Sequence, residues 1–412
     1  MIGNKACYIA ACRHEQGGKS ISNSNGVLNG VSNGIRRERI VLPAMSPGTE
    51  RSLHVLRFGA QGARPKAYFQ ASIHADELPA MLVLNHLIER LIRAAGDGAM
   101  RGEVVVVPVA NPIGLAQFVQ GRAMGRFALA GSGNFNRHFP DLAQALDGHI
   151  ARRLSDDAAV NVSVLRAAMR DALDAMQPAD EVACLRVTLL GLAFDADVAL
   201  DVHCDSEAVL HLYLGSPLWP DAADLSAQIG SQATLLATVS GGQPFDEAVG
   251  GPWWALAKRF PQHPIPPACL SGTIEYRGRS DVSEAMAAAD ADNLYRFLQR
   301  RAVVDGDPGP LPGAVCEATP LEGVDMIRSP VSGVIAYAKE PGEAVAAGDV
   351  VAVVVDPMNL DFTGARTELT SRCDGILYGR TADRLARPGK VVCKVAGKES
   401  LPDRHAGALL TD

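Results

Sequence analysis

The sequence predicts an α/β fold followed by a small all-β domain, and three observations carry that prediction. Short runs that are apolar almost throughout, AYFQASI, EVVVVPVAN, DVALDVHCD and CLSGTIEYRG, alternate with segments of helical periodicity, the pattern of a mostly parallel sheet covered on both faces. The run DGDPGPLPG, residues 305–313, has the Pro and Gly content of a linker. Beyond it two β-rich stretches echo each other, with Gly333 and Gly348 in the first and Gly375 and Gly389 in the second, as in a small sandwich with internal pseudo-symmetry.

Taken in order, residues 17–35 are rich in Gly, Ser and Asn with little to bury, so residues 1–35 read as a flexible arm and the ordered fold is expected to begin near Arg36. AYFQASI is the first buried strand, and LPAMLVLNHLIERLIRAA follows as an apolar-faced helix with Pro79 in its first turn. EVVVVPVAN (103–111) is a second strand, VSVLRAAMRDAL a helix, and DVALDVHCD (197–205) and CLSGTIEYRG (269–278) two further strands that end in polar residues. ADADNLYRFLQRRAV closes a catalytic domain spanning 36–304; a linker (305–325), the β-sandwich (326–400) and a tail (401–412) complete the chain. The sandwich resembles the lipoyl and biotinyl carrier fold, but the turn that would bear the carrier lysine reads VVVDPMNLDF and has none. A structural or oligomerisation module is the plainer reading, which leaves a homo-oligomer open.

Composition narrows the class of function. The chain has 412 residues and 47% hydrophobic content, enough for two cores. Its net charge of −7, from 46 acidic and 39 basic residues without long runs, provides no basic stripe and argues against nucleic acid as a partner. Eight scattered cysteines, with no CxxC pair, read as reduced thiols. The N-terminus lacks a signal-peptide core and no window reaches 18 apolar residues, so a cytoplasmic protein that does not enter a membrane is expected.

Polar residues at strand ends carry the chemistry, because ligands of such sheets collect at the carboxyl ends of strands. In ASIHADELPA, His74 and Glu77 stand three apart and share a face if the strand gives way to a helical turn; together they suit zinc. His203 in DVHCD supplies a third ligand, leaving a position for water. Asp76, Asp201 and Asp205 are expected to orient these ligands without binding the ion themselves. Cys204 should point to the opposite face from His203, and His86, His138 and His211 read as ordinary core or surface histidines. Glu275, ending TIEYRG, is the candidate base for a zinc-activated water. In GNFNRHFPD, Asn136 and Arg137 offer hydrogen bonds and a planar fork to a carboxylate, and either Arg122 or Arg126 in VQGRAMGRF could polarise a carbonyl.

HADE, NFNRHFPD, LDVHCD and TIEYRG in this order on an α/β scaffold resemble the succinylglutamate desuccinylase and aspartoacylase family, a branch of the zinc carboxypeptidase-like fold, over roughly residues 40–300. The resemblance implies a mixed sheet flanked by helices, one zinc ion per chain held by His74, Glu77 and His203, Glu275 as general base, and Asn136 and Arg137 gripping the carboxylate of a small-molecule substrate. It implies an assisting arginine upstream without choosing between Arg122 and Arg126, and a C-terminal β-domain of the kind many bacterial members carry. The expected activity is hydrolysis of a small N-acyl amino acid or related amide. A metallocarboxypeptidase acting on short peptides is the alternative within hydrolysis, and a non-catalytic binding or carrier protein is the alternative outside it.

Overall fold

In a computed structural model of the chain, residues 31–409 apart from 33, 132 and 147 are described. The expected arm falls outside the described residues except for its end, where Val31–Ser32 pairs with Ile35 and Arg36. Two compact units are formed: one runs to Val202 and adds Gln243–Ser271 and Glu284–Gly309, the other comprises His203–Gly242, Gly272–Ser283 and the chain from Pro310.

The first unit contains strands β1 (Ile35–Val41), β2 (Ser52–Phe58) and β3 (Lys66–Ala71), helix α1 (Leu78–Gly96), strand β4 (Glu103–Val107), helices α2 (Ala158–Ala175) and α3 (Glu181–Ala193), and the start of strand β5 (Val198–Asp205). Helices α4 (Phe245–Arg259) and α5 (Glu284–Arg300) complete it. The strands lie in the order β1-β2-β4-β3-β5. β3 and β4 are buried at every position and pair in parallel, and β5 continues the parallel run with Val202 opposite Ala71. β1 and β2 are antiparallel to their neighbours, so parallel pairing holds at the centre and the sheet as a whole is mixed. The four successive charged residues of β1, Arg36, Arg37, Glu38 and Arg39, suit a half-covered strand towards the sheet's edge rather than a two-sided interior.

Helix α1 begins where Pro79 fits the first turn, which needs no N–H from it. Its buried residues Pro79, Ala80, Val83, Leu84, Leu87, Leu91 and Ala94 recur at helical spacing on one face. At its side, Arg90 Nε donates to Asp292 of α5 at 2.6 Å. The packing of α2, α3 and α4 adds a core in which Phe135, Phe139, Phe245 and Trp253 are fully buried or nearly so, each such side chain contributing roughly 1.5–3 kcal/mol through apolar surface removed from water.

In the second unit, β6 (His211–Gly215) pairs in parallel with β7 (Ala233–Ala237) and antiparallel with β8 (Leu270–Gly278), and β9 (Ala318–Pro320) joins β7 in parallel. The C-terminal strands are β10 (Val324–Arg328), β11 (Gly333–Tyr337), β12 (Val350–Val355), β13 (Arg366–Thr370), β14 (Gly375–Arg380) and β15 (Val391–Gly397). They form two small antiparallel sheets that cover a core including Ile335, Val351, Leu377 and Val395. The two echoing stretches exchange short strands: Ala344–Val345 of the first pairs with β14, and Leu385–Ala386 of the second pairs with β11. The turn between β12 and β13 projects Met358, Leu360 and Phe362 into solvent. Among the described residues no helix is long and apolar enough to cross a membrane, and the six described cysteines are free.

Candidate metal centre

At the end of β3 the chain leaves the sheet through Ser72, whose φ of 67° is left-handed and turns the backbone sharply. His74 and Glu77 then bracket a tight turn closed by the Glu77 N–H donating to the His74 carbonyl at 3.1 Å. Glu77 occupies the cap position of α1 but makes no side-chain capping bond, so its carboxylate is turned elsewhere. It meets His74, with Oε1 lying 3.0 Å from the imidazole Nδ1. Both side chains are buried, at 4% and 2% exposure, where a carboxylate without a cationic partner or metal would be costly.

His203, near the end of the parallel strand β5, is 2% exposed. One ligand atom each from His74, Glu77 and His203 lies within 4.8 Å of the others, so these three could hold a metal ion. The outer nitrogen of His74 identifies its inner one. Nε2 lies 2.9 Å from Asn134 Oδ1, which also accepts the Asn136 backbone N–H at 2.9 Å. An oxygen that accepts requires a donor, so Nε2 carries the proton and Nδ1 presents its lone pair towards Glu77. Two imidazoles and a carboxylate are the donor set of hydrolytic zinc sites, and at 3.0 Å apart His74 Nδ1 and Glu77 Oε1 are close enough for both to reach one ion at about 2.1 Å. The residues fit zinc.

The loop after β4 reaches this point by close backbone approach. Asn111 receives the Gly114 N–H and donates to the Ile73 carbonyl at 2.8 Å, which ties the loop to the segment carrying His74. The Ala75 N–H donates to the Gly125 carbonyl at 3.0 Å, and a Cβ on Gly125 would stand 2.3 Å from the Asp76 nitrogen, so only glycine fits. That approach delivers Arg126, whose Nη1 is 3.2 Å from His74 Nδ1 and 3.4 Å from Glu77 Oε1. Arg122 belongs instead to an exposed two-residue strand paired with Phe118–Val119. The structure thus brings Arg126 to the centre and places Arg122 on the surface of the loop.

Asn136 and Arg137 are both buried. Asn136 Oδ1 accepts the Phe245 N–H at 2.9 Å and its Nδ2 lies 3.5 Å from Asp201 Oδ2. Arg137 Nη1 donates to the Asn136 carbonyl at 2.8 Å. Asp201 is fully buried and takes a further bond from Gln70 Nε2 at 3.0 Å, Gln70 itself accepting from the Tyr68 hydroxyl at 2.8 Å. Asp201 therefore orders the Asn136 loop. Asp76 is half-buried in the turn between the two ligands it was expected to support.

Leu270 donates to the Asp197 carbonyl at 2.9 Å and Arg279 to that of Ser206 at 3.2 Å; this constant offset runs β8 parallel to β5 and carries Glu275 level with His203. On the other side of Glu275, His211 is its direct partner across β6. Adjacent paired residues share a face, so His203, Glu275 and His211 stand in one row. His211 is fully buried; its Nδ1 donates to the Val209 carbonyl at 2.8 Å, and burial lowers its pKa to about 4, so the ring is neutral near pH 7. Asp205 pairs with Lys394 and accepts its own Ser206 N–H at 2.6 Å. Burial raises the Asp205 pKa, but Lys394 and His211 outweigh that and hold it low.

Sequence reasoning had not singled out Asn134, Gln70 or Gly125. Asn134 sits in GSGNFN, where asparagine reads as a turn former, and its contact with His74 depends on tertiary folding alone.

Residues 63–177 match the model of the succinylglutamate desuccinylase/aspartoacylase catalytic domain. The chain is thus similar to that family's catalytic domain over this stretch, which holds the HADE and NFNRHFPD motifs. The matched stretch includes His74, Glu77, Arg126, Asn136 and Arg137, and His203 and Glu275 lie beyond it. Among solved structures, a succinylglutamate desuccinylase/aspartoacylase family protein from Shewanella amazonensis SB2B is similar at 24% identity with a TM-score of 0.76, over 89% of this chain and 100% of the other. Another from Shewanella frigidimarina NCIMB 400 gives 22% identity and a TM-score of 0.76, over 88% and 97%. The ectoine utilization protein EutE (DoeB) from Ruegeria pomeroyi, in a product-bound structure, gives 17% identity and a TM-score of 0.64, over 89% and 96%. At these identities the likeness concerns the fold, and it spans most of the chain. No curated protein matches the chain.

Proposed function

We propose that the protein is a zinc-dependent amide hydrolase that removes the acyl group from a small N-acyl amino acid or a related carboxylate-bearing amide. The observation that carries this reading is the buried convergence of His74, Glu77 and His203, with the His74 tautomer set by Asn134. The names of the matching family, a desuccinylase and an acylase, point to the same class of reaction.

His74 Nδ1, a Glu77 carboxylate oxygen and a His203 nitrogen would hold the ion. Bound zinc lowers the pKa of a coordinated water towards neutrality and polarises a carbonyl. Glu275, level with His203, takes the proton of the attacking water on a carboxylate oxygen and returns it to the leaving amine. Arg126, whose guanidinium already borders the ligand pair, meets the negative charge that grows on the carbonyl oxygen. Arg137 takes the substrate carboxylate in its planar fork, held in place by the Asn136 loop, so that the amide is oriented before chemistry. The reading extends to a protein of the cytoplasm that acts on small molecules.

Steady-state assays of the zinc-loaded full-length chain against a panel of N-acyl amino acids and dipeptides test this proposal. Turnover of N-acyl amino acids is expected; strong dipeptide turnover with no N-acyl activity would assign the protein to the carboxypeptidases.

A further inference from the structure

The chain beyond β5 is built into the C-terminal strands. Glu207 and Ala208 pair with Arg380 and Gly379 of β14, the Val209 N–H donates to the Tyr378 carbonyl at 2.9 Å, and Arg380 and Arg384 both bind the Glu207 carboxylate. Within that join lies a group that the proposed mechanism does not use. Lys394, on β15, bonds Asp205, and its ammonium stands 5.9 Å from the centre of the Tyr378 ring. Its side chain is 22% exposed and that of Asp205 is 17% exposed, so the pair sits in a largely dry setting where charge acts over distance.

Space has been made for the pair. Gly379 is the direct partner of Lys394 across β14, and a Cβ there would stand 3.3 Å from Asp205 Oδ2. Two neighbouring positions of the C-terminal sheet thus receive one carboxylate, the first by charge and the second by lacking a side chain. Asp205 follows His203 by two residues on the same face of β5, and Glu275 lies level with His203 on β8. Glu275 also contributes to the attraction felt by Lys394, whose pKa is lowered by burial and raised further by Asp205, Tyr378 and Glu275, with a net rise. Lys394 is therefore a fixed cation bonded to Asp205 at the strand ends where Glu275 also lies.

We propose that Lys394 is a positioning residue for Glu275: anchored by Asp205, its ammonium holds the Glu275 carboxylate in place for proton transfer, so the C-terminal sheet is part of the catalytic apparatus. The inference rests on Glu275 as the base of the proposed hydrolase. A lysine serving only to fasten the C-terminal strands would matter for stability and leave turnover untouched.

The test compares zinc-loaded full-length wild type with Lys394→Met and Lys394→Arg, using the N-acyl substrate that wild type turns over best. Lys394→Met is expected to keep its zinc and its KM within about threefold and to lose about 100-fold in kcat, the scale of general-base catalysis; Lys394→Arg should recover much of that loss. A kcat equal to wild type in folded Lys394→Met overturns the proposal. Should the lone Asp205 prevent folding, the paired variant Asp205→Asn/Lys394→Met removes both charges: low kcat with zinc retained supports the role, and wild-type kcat removes it. Wild type inert on the whole panel would count against the hydrolase alone. Crystal structures of the zinc-loaded wild type and Lys394→Met then decide, a displaced Glu275 carboxylate supporting the positioning role and an unmoved one overturning it.

Discussion

His74 Nε2 donates to Asn134 Oδ1 across 2.9 Å, and this bond leaves His74 Nδ1 as the nitrogen facing Glu77. The residue pair comes from a strand end and a loop 60 positions apart. Without Asn134 the ring is free to adopt the other tautomer or to rotate.

Asn134→Leu is accordingly expected to weaken zinc binding by about 10- to 100-fold, the usual effect of removing a hydrogen-bond partner of a ligating histidine. Chelator competition would measure it. Unchanged affinity would show that Asn134 does not set the tautomer.

Arg126 and Arg122 should separate cleanly. Arg126 borders His74 and Glu77, whereas Arg122 lies on an exposed strand. Arg126→Ala is expected to lower kcat by about 100-fold or more, as removal of a charge-stabilising donor does, and Arg122→Ala should remain close to wild type. Equal losses in the two variants would detach Arg126 from the carbonyl.

Gly125 is a stability probe with a local readout. Its Cβ would meet Asp76 N at 2.3 Å and Ala75 C at 2.6 Å, both backbone atoms that cannot rotate away. Gly125→Ala is expected to cost about 1–3 kcal/mol by overpacking, measured by denaturant unfolding, and to lower activity because Arg126 is the next residue. A variant as stable and active as wild type would contradict the close approach.

How much of this was legible in the sequence depended on whether local pattern or tertiary contact decided it. β3 and β4 were readable because strands covered on both faces are apolar at nearly every position, and α1 because its apolar residues recur at helical spacing. His74, Glu77 and His203 stood out because charged or ligating side chains at the ends of such strands need a reason. The choice between Arg122 and Arg126 was not legible, since it turns on the fit of Gly125 against Ala75 and Asp76. Nor was the pairing of Asp205 with Lys394, 189 positions apart, which no periodicity encodes. The antiparallel β1 and β2 were missed as such because their neighbours set strand direction, and composition does not.

His211 makes stability depend on pH. Its pKa is lowered by burial from an ordinary 6.5 to about 4 in the folded protein. The unfolded chain therefore binds more protons between those values, so the contribution is fully present above about pH 6.5 and is lost as pH falls towards 4. The linkage amounts to about 3 kcal/mol at most. Unfolding free energies of wild type and His211→Gln across that window should converge at low pH; parallel curves would mean that His211 titrates normally.

The central claim is that His74, Glu77 and His203 form one metal site, and metal analysis of purified wild type beside His203→Ala tests it most directly. The account predicts about one zinc per wild-type chain, the usual complement of a His, Glu and His set, and its loss from a His203→Ala variant that still unfolds cooperatively. Equal zinc in the two proteins would contradict it.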